Sequence, residues 1–210
     1  MRIALAQAFS AKSAIEMLDS LPKMNEPDVV LMPEYCFSAP DFCDLLAASA
    51  ERPFMTIVTA MVLPVGRKNL GITHNRALKI IGGVGMPIYD KMEQDGMGGY
   101  SEDVSEANKK AFRDQPQSMF ASICNDKQYA KPLMPTVWLI PAYDSTSDSA
   151  LVPQTGYTGH VFFANGNRNA KRSSYYLNVA EPYNPSKGDL YVSEEIKRDV
   201  EDMLEIFIAP

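Results

Sequence analysis

The stretch Asp28-Val29-Val30-Leu31-Met32-Pro33-Glu34-Tyr35 sets four consecutive apolar residues directly before a proline and a carboxylate. A short, continuous apolar run that stops at a proline is typical of a strand covered on both faces. Ile3 to Ala8 predicts a similar strand at the start of the chain, and Ser13 to Leu21, between the two, has apolar residues at helical spacing. This order of strand, helix and strand indicates an α/β fold.

The following segments continue this alternation and then change to paired strands. Ala39 to Ala50 predicts a helix and Phe54 to Leu63 a strand. Two hairpins are expected, because glycine-containing turns separate Arg76–Ile81 from Met86–Lys91 and Val161–Ala164 from Tyr175–Val179. Further predictions are strands at Ser118–Cys124 and Val137–Ile140, a long loop over 94–116 with a helical turn near Val104–Phe112, and a helix from an N-cap at Ser193 to about Leu204.

Composition and charge restrict the class of protein. The 210 residues fit one domain, and 46% hydrophobic with 22% charged residues is ordinary globular composition. A net charge of −6 argues against a nucleic-acid binder. No run approaches the ~18 apolar residues of a membrane span, and the apolar run at the N-terminus is too short for a signal peptide. We therefore expect a soluble cytoplasmic protein that does not bind membranes.

The cysteines point to a reducing compartment. An odd and sparse set, Cys36, Cys43 and Cys124, does not form a disulfide framework. Cys36 and Cys43 have no second pair of ligands nearby in sequence, so we expect no metal site.

Three side chains that could carry chemistry stand at the ends of predicted strands. Glu34 follows one strand, Lys91 ends another, and Cys124 ends a third before the polar residues Asn125-Asp126. Taken singly, each has an ordinary explanation as a loop glutamate, a surface lysine or a small buried thiol. Ligands in open α/β folds bind beyond the carboxyl ends of strands, which favours a shared site.

Together these segments resemble the nitrilase (carbon–nitrogen hydrolase) superfamily. The resemblance rests on the order Pro33-Glu34, Tyr89-x-Lys91 and Ile123-Cys124-Asn125-Asp126. It extends to the flanking strands, which are Met1 to Gln7, Asn75-Arg76-Ala77-Leu78, Val137 to Ala142 and Phe162-Phe163-Ala164-Asn165. In all, it covers most of residues 1–170.

The resemblance implies a single-domain, four-layer α-β-β-α sandwich with a cofactor-free site. Cys124 would be the nucleophile and Glu34 the general base, while Lys91 and the backbone N–H of Asn125 would stabilise an oxyanion. A second glutamate is common in the family, and Glu102 is the candidate, with Glu106 and Glu93 as rivals. The implied partners are a small-molecule substrate and a second copy of the chain, as a homodimer.

Two segments depart from the family pattern. The helix after Cys124 is replaced by the short Lys127–Pro132 segment, and the helix after Ala142 is abbreviated to roughly Ser145–Thr155. Both segments normally help to form the pocket and the subunit interface, so the resemblance alone does not identify the substrate or the oligomer geometry. Asn125-Asp126 after the cysteine resembles amidase or carbamoylase members, which favours an amide or N-carbamoyl substrate over a nitrile.

Two alternatives remain at this point. The shortened segments suit a non-catalytic nitrilase-like module for binding or assembly. Cys124, His160 and Asn165 also follow the chain order of a papain-like thiol hydrolase, although such triads are recognised by geometry rather than by order.

Overall fold

The computed structural model is a sandwich of two β-sheets with helices outside it. It describes residues 1–34, 39–64, 73–92, 103–143, 153–170, 173–187, 192–198 and 200–208. The helices in these ranges are α1 Ala11–Ser20, α2 Ala39–Ala50, α3 Glu106–Arg113 and α4 Lys127–Ala130. The strands are β1 Arg2–Gln7, β2 Val29–Glu34, β3 Thr56–Pro64, β4 Thr73–Ile81, β5 Val84–Asp90, β6 Phe120–Ala121, β7 Val137–Ala142, β8 Gly159–Asn165, β9 Tyr175–Val179, β10 Glu194–Glu195 and β11 Asp202–Phe207.

The first sheet has the order β11-β1-β2-β3-β4-β5. β1, β2 and β3 run parallel, and β3, β4 and β5 form an antiparallel meander. Gly82 and Gly83, with φ of 54° and 78°, make the two-residue turn between β4 and β5. Tight hairpins of this kind require positive φ at both central residues, so the predicted glycine hairpin is confirmed.

The second sheet has the order β10-β9-β8-β7-β6 and packs face to face on the first. The interface is a buried layer in which Ile3, Leu5 and Leu31 of the first sheet meet Leu139 and Phe162 of the second. Alternate residues of the same strands point outward, because side chains alternate between the faces of a strand. β2 and β7 are buried along their whole length because other residues cover their outward faces as well.

Helices cover the outer face of the first sheet, whereas the fourth layer is thin. α1 packs on β1, and α2 packs on β3, β4 and β5, through a cluster that includes Leu18 and Leu45. On the outer face of the second sheet, the single turn α4 and the side chain of Tyr157 contact the cluster around Trp138. After Cys124 the only α-helical segment in the described residues before β7 is the four-residue α4. The segment predicted at Ser145–Thr155 lies almost entirely outside the described residues.

The open edge of the sandwich is closed by α3. Phe112 of this helix makes edge-to-face contacts with Tyr89 of β5 and Phe120 of β6, at centroid distances of 4.9 and 5.1 Å. Only a helical turn was expected here, and the structure has an eight-residue helix capped by the Ser105 hydroxyl. No helix in the described ranges has the length and apolar character needed to cross a membrane.

The predicted helix from Ser193 to Leu204 is wrong. The segment forms β10 and β11, and β11 pairs antiparallel with β1, from Arg2 opposite Phe207 to Gln7 opposite Asp202. The helical spacing of Ile196, Val200 and Met203 competes with an alternating set at Leu204, Ile206 and Ile208. The alternating set prevails because it completes the free edge of β1 and buries Ile206 and Ile208 against the second sheet.

The predicted strand at Ser118–Cys124 is much shorter than expected. Only Phe120 and Ala121 pair with β7, between 3₁₀ turns at Gln117–Met119 and Cys124–Asp126. The chain leaves the sheet early because residues 124–126 turn sharply after the strand.

We predict that Ile206→Ala lowers the free energy of unfolding by about 2–5 kcal/mol, since it empties a buried site. Phe207→Ala is the matched control: this side chain is 69% exposed on the opposite face of the same strand, and the loss there should stay below about 0.5 kcal/mol. Urea unfolding of both variants measures the difference. Equal losses of stability in the two variants would contradict the pairing of β11 as a strand.

Candidate active site

Glu34 is positioned by an irregularity at the end of β2. The register between β2 and β3 shifts between Leu31 and Glu34, where Pro33 has no N–H to donate to the ladder. The Pro33 carbonyl instead accepts a hydrogen bond from the Thr59 hydroxyl at 2.9 Å. Bulges re-aim side chains next to functional sites, and here the bulge leaves the Glu34 carboxylate fully buried.

Lys91 follows the last residue of β5 and forms a buried ion pair with Glu34. Its Nζ donates to Oε1 of Glu34 at 2.8 Å, and both side chains are 0% exposed. The Lys91 backbone N–H donates to the carbonyl of Asn75 at 2.7 Å. A carboxylate and an ammonium are kept inside a protein only when each is paired, so these residues depend on one another.

Asn75 is a third member of this buried cluster, and the sequence did not single it out for a function. Its Nδ2 donates to the same Oε1 of Glu34 that accepts from Lys91, and Asn75 is 0% exposed. Two donors on one oxygen fix the orientation of the carboxylate. One feature of the sequence could have pointed to Asn75: it is a polar amide two residues before Ala77 in β4, so its side chain lies on the same face as that buried residue.

Cys124 lies on a sharp turn immediately after β6. Its φ of 40° is in the left-handed region, which a non-glycine residue adopts rarely. The residue is 2% exposed, and its Sγ is 4.0 Å from Oδ1 of Asn125. Strained backbone of this kind clusters at active sites, and the sharp bend expected for a nucleophile is present.

The Cys124 turn is attached to the Lys91 end of β5 by hydrogen bonds on both sides. The Tyr89 hydroxyl accepts from the backbone N–H of Ile123 at 2.5 Å. The Asp126 carboxylate accepts from the backbone N–H of Met92 at 3.0 Å. The structure therefore brings the segments of Lys91 and Cys124 together beside Glu34.

Asp126 is a buried acid. In the sequence it attracted attention only because Asn125-Asp126 resembles amidase or carbamoylase members, and it was assigned no role of its own. It is 0% exposed. Desolvation raises its pKa to about 7, against the opposing effects of the Met92 N–H, the Tyr89 hydroxyl and the charge of Lys91. The charge of Glu34 also raises this pKa. A nearly neutral pKa in the middle of a candidate site marks a group that titrates in the working range.

The remaining predicted site residues have different outcomes. Glu102, the candidate second acid, and its rival Glu93 lie outside the described residues. Glu106 is exposed on α3 and pairs with Lys109 at 2.9 Å, so the structure does not bring it to Glu34. Asn125 is half-buried and is the second residue of the 3₁₀ turn, where backbone N–H groups have no acceptor within the turn.

The papain-like arrangement is excluded by the position of His160. This residue pairs with Val137 at the start of β7, whereas Asn165 pairs with Ala142 at its end. Five residues of strand separate His160 from Asn165 by roughly 16 Å. Nδ1 of His160 is hydrogen-bonded to the Tyr176 hydroxyl at 2.7 Å, and burial lowers the pKa of the imidazole.

Other potential sites lie apart from this cluster. Cys36 is outside the described residues and Cys43 is exposed, and no group of three metal-binding side chains occurs in the described ranges. A polar cavity of about 510 Å³ is lined by residues that include Tyr143, Gly166 and Arg168. Gly166 packs against the Glu34 backbone, where an added Cβ would lie 3.1 Å from the carbonyl oxygen. The cavity is therefore adjacent to the cluster, but Glu34, Lys91 and Cys124 do not line it.

The fold is similar to that of two solved structures of glutamine-dependent NAD⁺ synthetases. The enzyme from Acinetobacter baumannii aligns over 97% of this chain with a TM-score of 0.60 and 12% identity. The enzyme from Cytophaga hutchinsonii aligns over 98% with a TM-score of 0.59 and 14% identity. This chain covers 44% and 42% of those chains, so it spans less than half of their length. These likenesses confirm the predicted nitrilase-like fold.

Other comparisons add little. A crystal structure of an N-terminal amidase with an Asn-Glu-Ala peptide aligns over 74% of this chain and 50% of its own, at 13% identity and a TM-score of 0.43 that does not establish a shared fold. No family model and no curated protein sequence matches the chain.

We predict that Lys91→Met lowers the free energy of unfolding by about 3–5 kcal/mol, because it leaves the Glu34 carboxylate buried without its ammonium partner. The double variant Glu34→Gln/Lys91→Met should recover most of the loss, since neither member of the pair then carries a charge. Lys79→Met, on the half-buried side of β4, is the control, with an expected change within about 0.5 kcal/mol. Denaturant titration at pH 7 measures all three, and a loss no larger than that of Lys79→Met would contradict the buried pair.

Proposed function

We propose that this chain is a cysteine-dependent carbon–nitrogen hydrolase of the nitrilase type, cleaving a non-peptide C–N bond in a linear amide or N-carbamoyl substrate. The observation that carries the proposal is the buried Glu34–Lys91 pair beside the left-handed turn of Cys124. The nitrilase-like fold supports it. Hydrogen bonds between the end of β5 and the segment around Cys124 support it as well.

The first step is activation of the thiol. Glu34 takes the proton of Cys124, and the ammonium of Lys91 stabilises the resulting negative charge. A thiolate near a cation is a far better nucleophile than a neutral thiol. The dry surroundings of the cluster strengthen these interactions relative to water.

Acylation follows from the same geometry. The thiolate attacks the carbonyl carbon, forming a C–S bond and moving the carbonyl electron pair onto oxygen. Lys91 and the backbone N–H of Asn125 stabilise that oxyanion. As the carbonyl re-forms, the C–N bond breaks, and the proton held by Glu34 passes to the nitrogen, which leaves as ammonia or an amine.

Deacylation returns the enzyme to its starting state. Glu34 takes a proton from water, and the hydroxide attacks the thioester carbon. The second tetrahedral intermediate is stabilised by the same donors. It collapses by breaking the C–S bond, and the proton held by Glu34 passes to the departing sulfur of Cys124, which restores the thiol and the carboxylate. The products over the whole cycle are a carboxylic acid, or a carbamic acid from a carbamoyl group, together with ammonia or an amine.

A primary amide is the favoured substrate class. Asn125-Asp126 after Cys124 is the sequence feature that favours amide or N-carbamoyl substrates. The two synthetases with the same fold are described as glutamine-dependent, and glutamine carries a primary carboxamide. We propose a homodimer on the basis of the family resemblance, and size-exclusion chromatography with light scattering tests it.

A non-catalytic binding or assembly module is the second candidate, favoured by the single-turn α4 in place of a full helix. It makes no use of a reactive thiol, so cysteine reactivity separates the two candidates.

We predict that iodoacetamide at pH 7 labels Cys124 at least about tenfold faster than Cys43, because an activated thiolate reacts faster than an ordinary thiol. Exposure alone predicts the opposite, since Cys43 is exposed and Cys124 is 2% exposed. Mass spectrometry of peptides gives both rates within one sample.

Variants test the source of the reactivity. Lys91→Met should slow labelling of Cys124, whereas His160→Ala should leave it unchanged. Cys124→Ser should abolish ammonia release from a panel of short amides, ω-amides and carbamoyl amino acids, while Cys43→Ser retains it. Slow labelling of Cys124 in the unmodified protein, with no ammonia from any member of the panel, would overturn the proposal in favour of the module.

A further inference from the structure

Four groups connect the end of β5 to the Cys124 turn, and together they flank both candidate catalytic residues. Tyr89 and Met92 lie on either side of Lys91, and Ile123 and Asp126 lie on either side of Cys124. The Ile123 N–H donates to the Tyr89 hydroxyl, and the Met92 N–H donates to the Asp126 carboxylate. We call this arrangement the clamp.

The clamp closes on itself through Tyr89 and Asp126, whose side chains are hydrogen-bonded to each other. The Tyr89 oxygen already accepts from Ile123, so its single proton is directed to the Asp126 carboxylate. The chain from the Ile123 N–H through the Tyr89 hydroxyl to Asp126 is thus polarised in one direction. An ionised carboxylate at the end of such a chain strengthens every bond in it.

The clamp depends on the charge of Asp126. An ionised carboxylate is purely an acceptor and suits two donors, whereas a protonated one must place a proton of its own. The charged or titratable groups that influence the pKa of Asp126 include Lys91 and Tyr89 from the β5 end and Glu34 from β2. Lys91 favours the ionised form and Glu34 opposes it.

We infer that Asp126 is a positioning residue, whose ionised carboxylate, acting through Tyr89 and the Met92 N–H, holds the Cys124 turn in register with Lys91, and that its protonation loosens this hold. The inference rests on the proposed function, since it assigns Asp126 a part in activating the thiol. Asp126 itself touches neither substrate nor the attacking sulfur in this scheme.

The sign of the pH effect follows from burial. The pKa of Asp126 is raised from 3.8 to about 7, so the protonated form persists in the folded protein well above the pH at which the unfolded chain ionises. Between pH 3.8 and about 7 the folded protein therefore holds this proton more tightly than the unfolded chain does. The contribution of Asp126 to the free energy of unfolding is lost as the pH rises through about 7. Reactivity has the opposite trend, because only the ionised form completes the clamp.

The sharpest test measures the pH profile of Cys124 alkylation by iodoacetamide, which needs no substrate. The unmodified protein should lose reactivity as the pH falls through about 7. Asp126→Asn should lack this acidic limb and should react up to about 100-fold more slowly at pH 8, the scale expected for a misplaced reacting group. Tyr89→Phe should also react more slowly, because Ile123 loses its acceptor.

Tyr157→Phe is the matched control. Tyr157 is also buried, but its hydroxyl donates to the Pro135 carbonyl at 2.9 Å and not to a group of the clamp. It should alter stability without changing the rate or pH profile of Cys124. Thermal unfolding of each variant shows that the labelled protein is folded.

The outcomes separate this inference from the proposed function. Slow labelling of Cys124 in the unmodified protein defeats the proposed function itself. Fast labelling whose acidic limb persists in Asp126→Asn, or a Tyr89→Phe protein that behaves like Tyr157→Phe, leaves the hydrolase standing and overturns the positioning role of Asp126. If Asp126→Asn fails to fold, Tyr89→Phe alone decides.

Discussion

A carboxylate and an ammonium buried together impose the central constraint on this molecule. Glu34 and Lys91 come from different strands and are both fully removed from water, so each requires the other at hydrogen-bond distance. Asn75 supplies a second donor to the same oxygen and ties a third strand to the pair. The ends of β2, β4 and β5 must therefore meet at one point, and the sandwich is the frame that holds them there.

Within the sandwich, a different local backbone feature positions each of Glu34, Lys91 and Cys124. A proline without an N–H ends the regular pairing of β2 at Glu34, and a two-glycine turn returns the chain so that β5 ends directly before Lys91. A left-handed residue turns the chain out of β6 at Cys124. Packing between the sheets makes these devices rigid, because alternate residues of β1, β2, β7 and β8 interdigitate in one buried layer.

Local patterns predicted the parts of the fold that local physics decides. The apolar run at β2, the helix at Ala39–Ala50 and the glycine hairpin carry their own signals, and so does the position of Glu34 after a buried strand. Partners distant in sequence decide the rest. The C-terminal strand forms because β1 offers an edge, and Asn75 and Asp126 gain their places only when Glu34, Tyr89 and Met92 are brought to them. The spacing of residues along the sequence does not reveal which distant residues come into contact.

The pairing of β11 with β1 has a consequence for how the protein is made. β1 and β11 are neighbours in the sheet but far apart in sequence, so β11 leaves the ribosome long after β1. Until then the hydrogen-bonding edge of β1 is bare, and bare edges recruit strands from other molecules. Contacts of such long sequence separation also slow folding, which lengthens the exposure. During biosynthesis, an aggregation-prone interval therefore falls after Glu34 and Lys91 have been synthesised and before β11 docks.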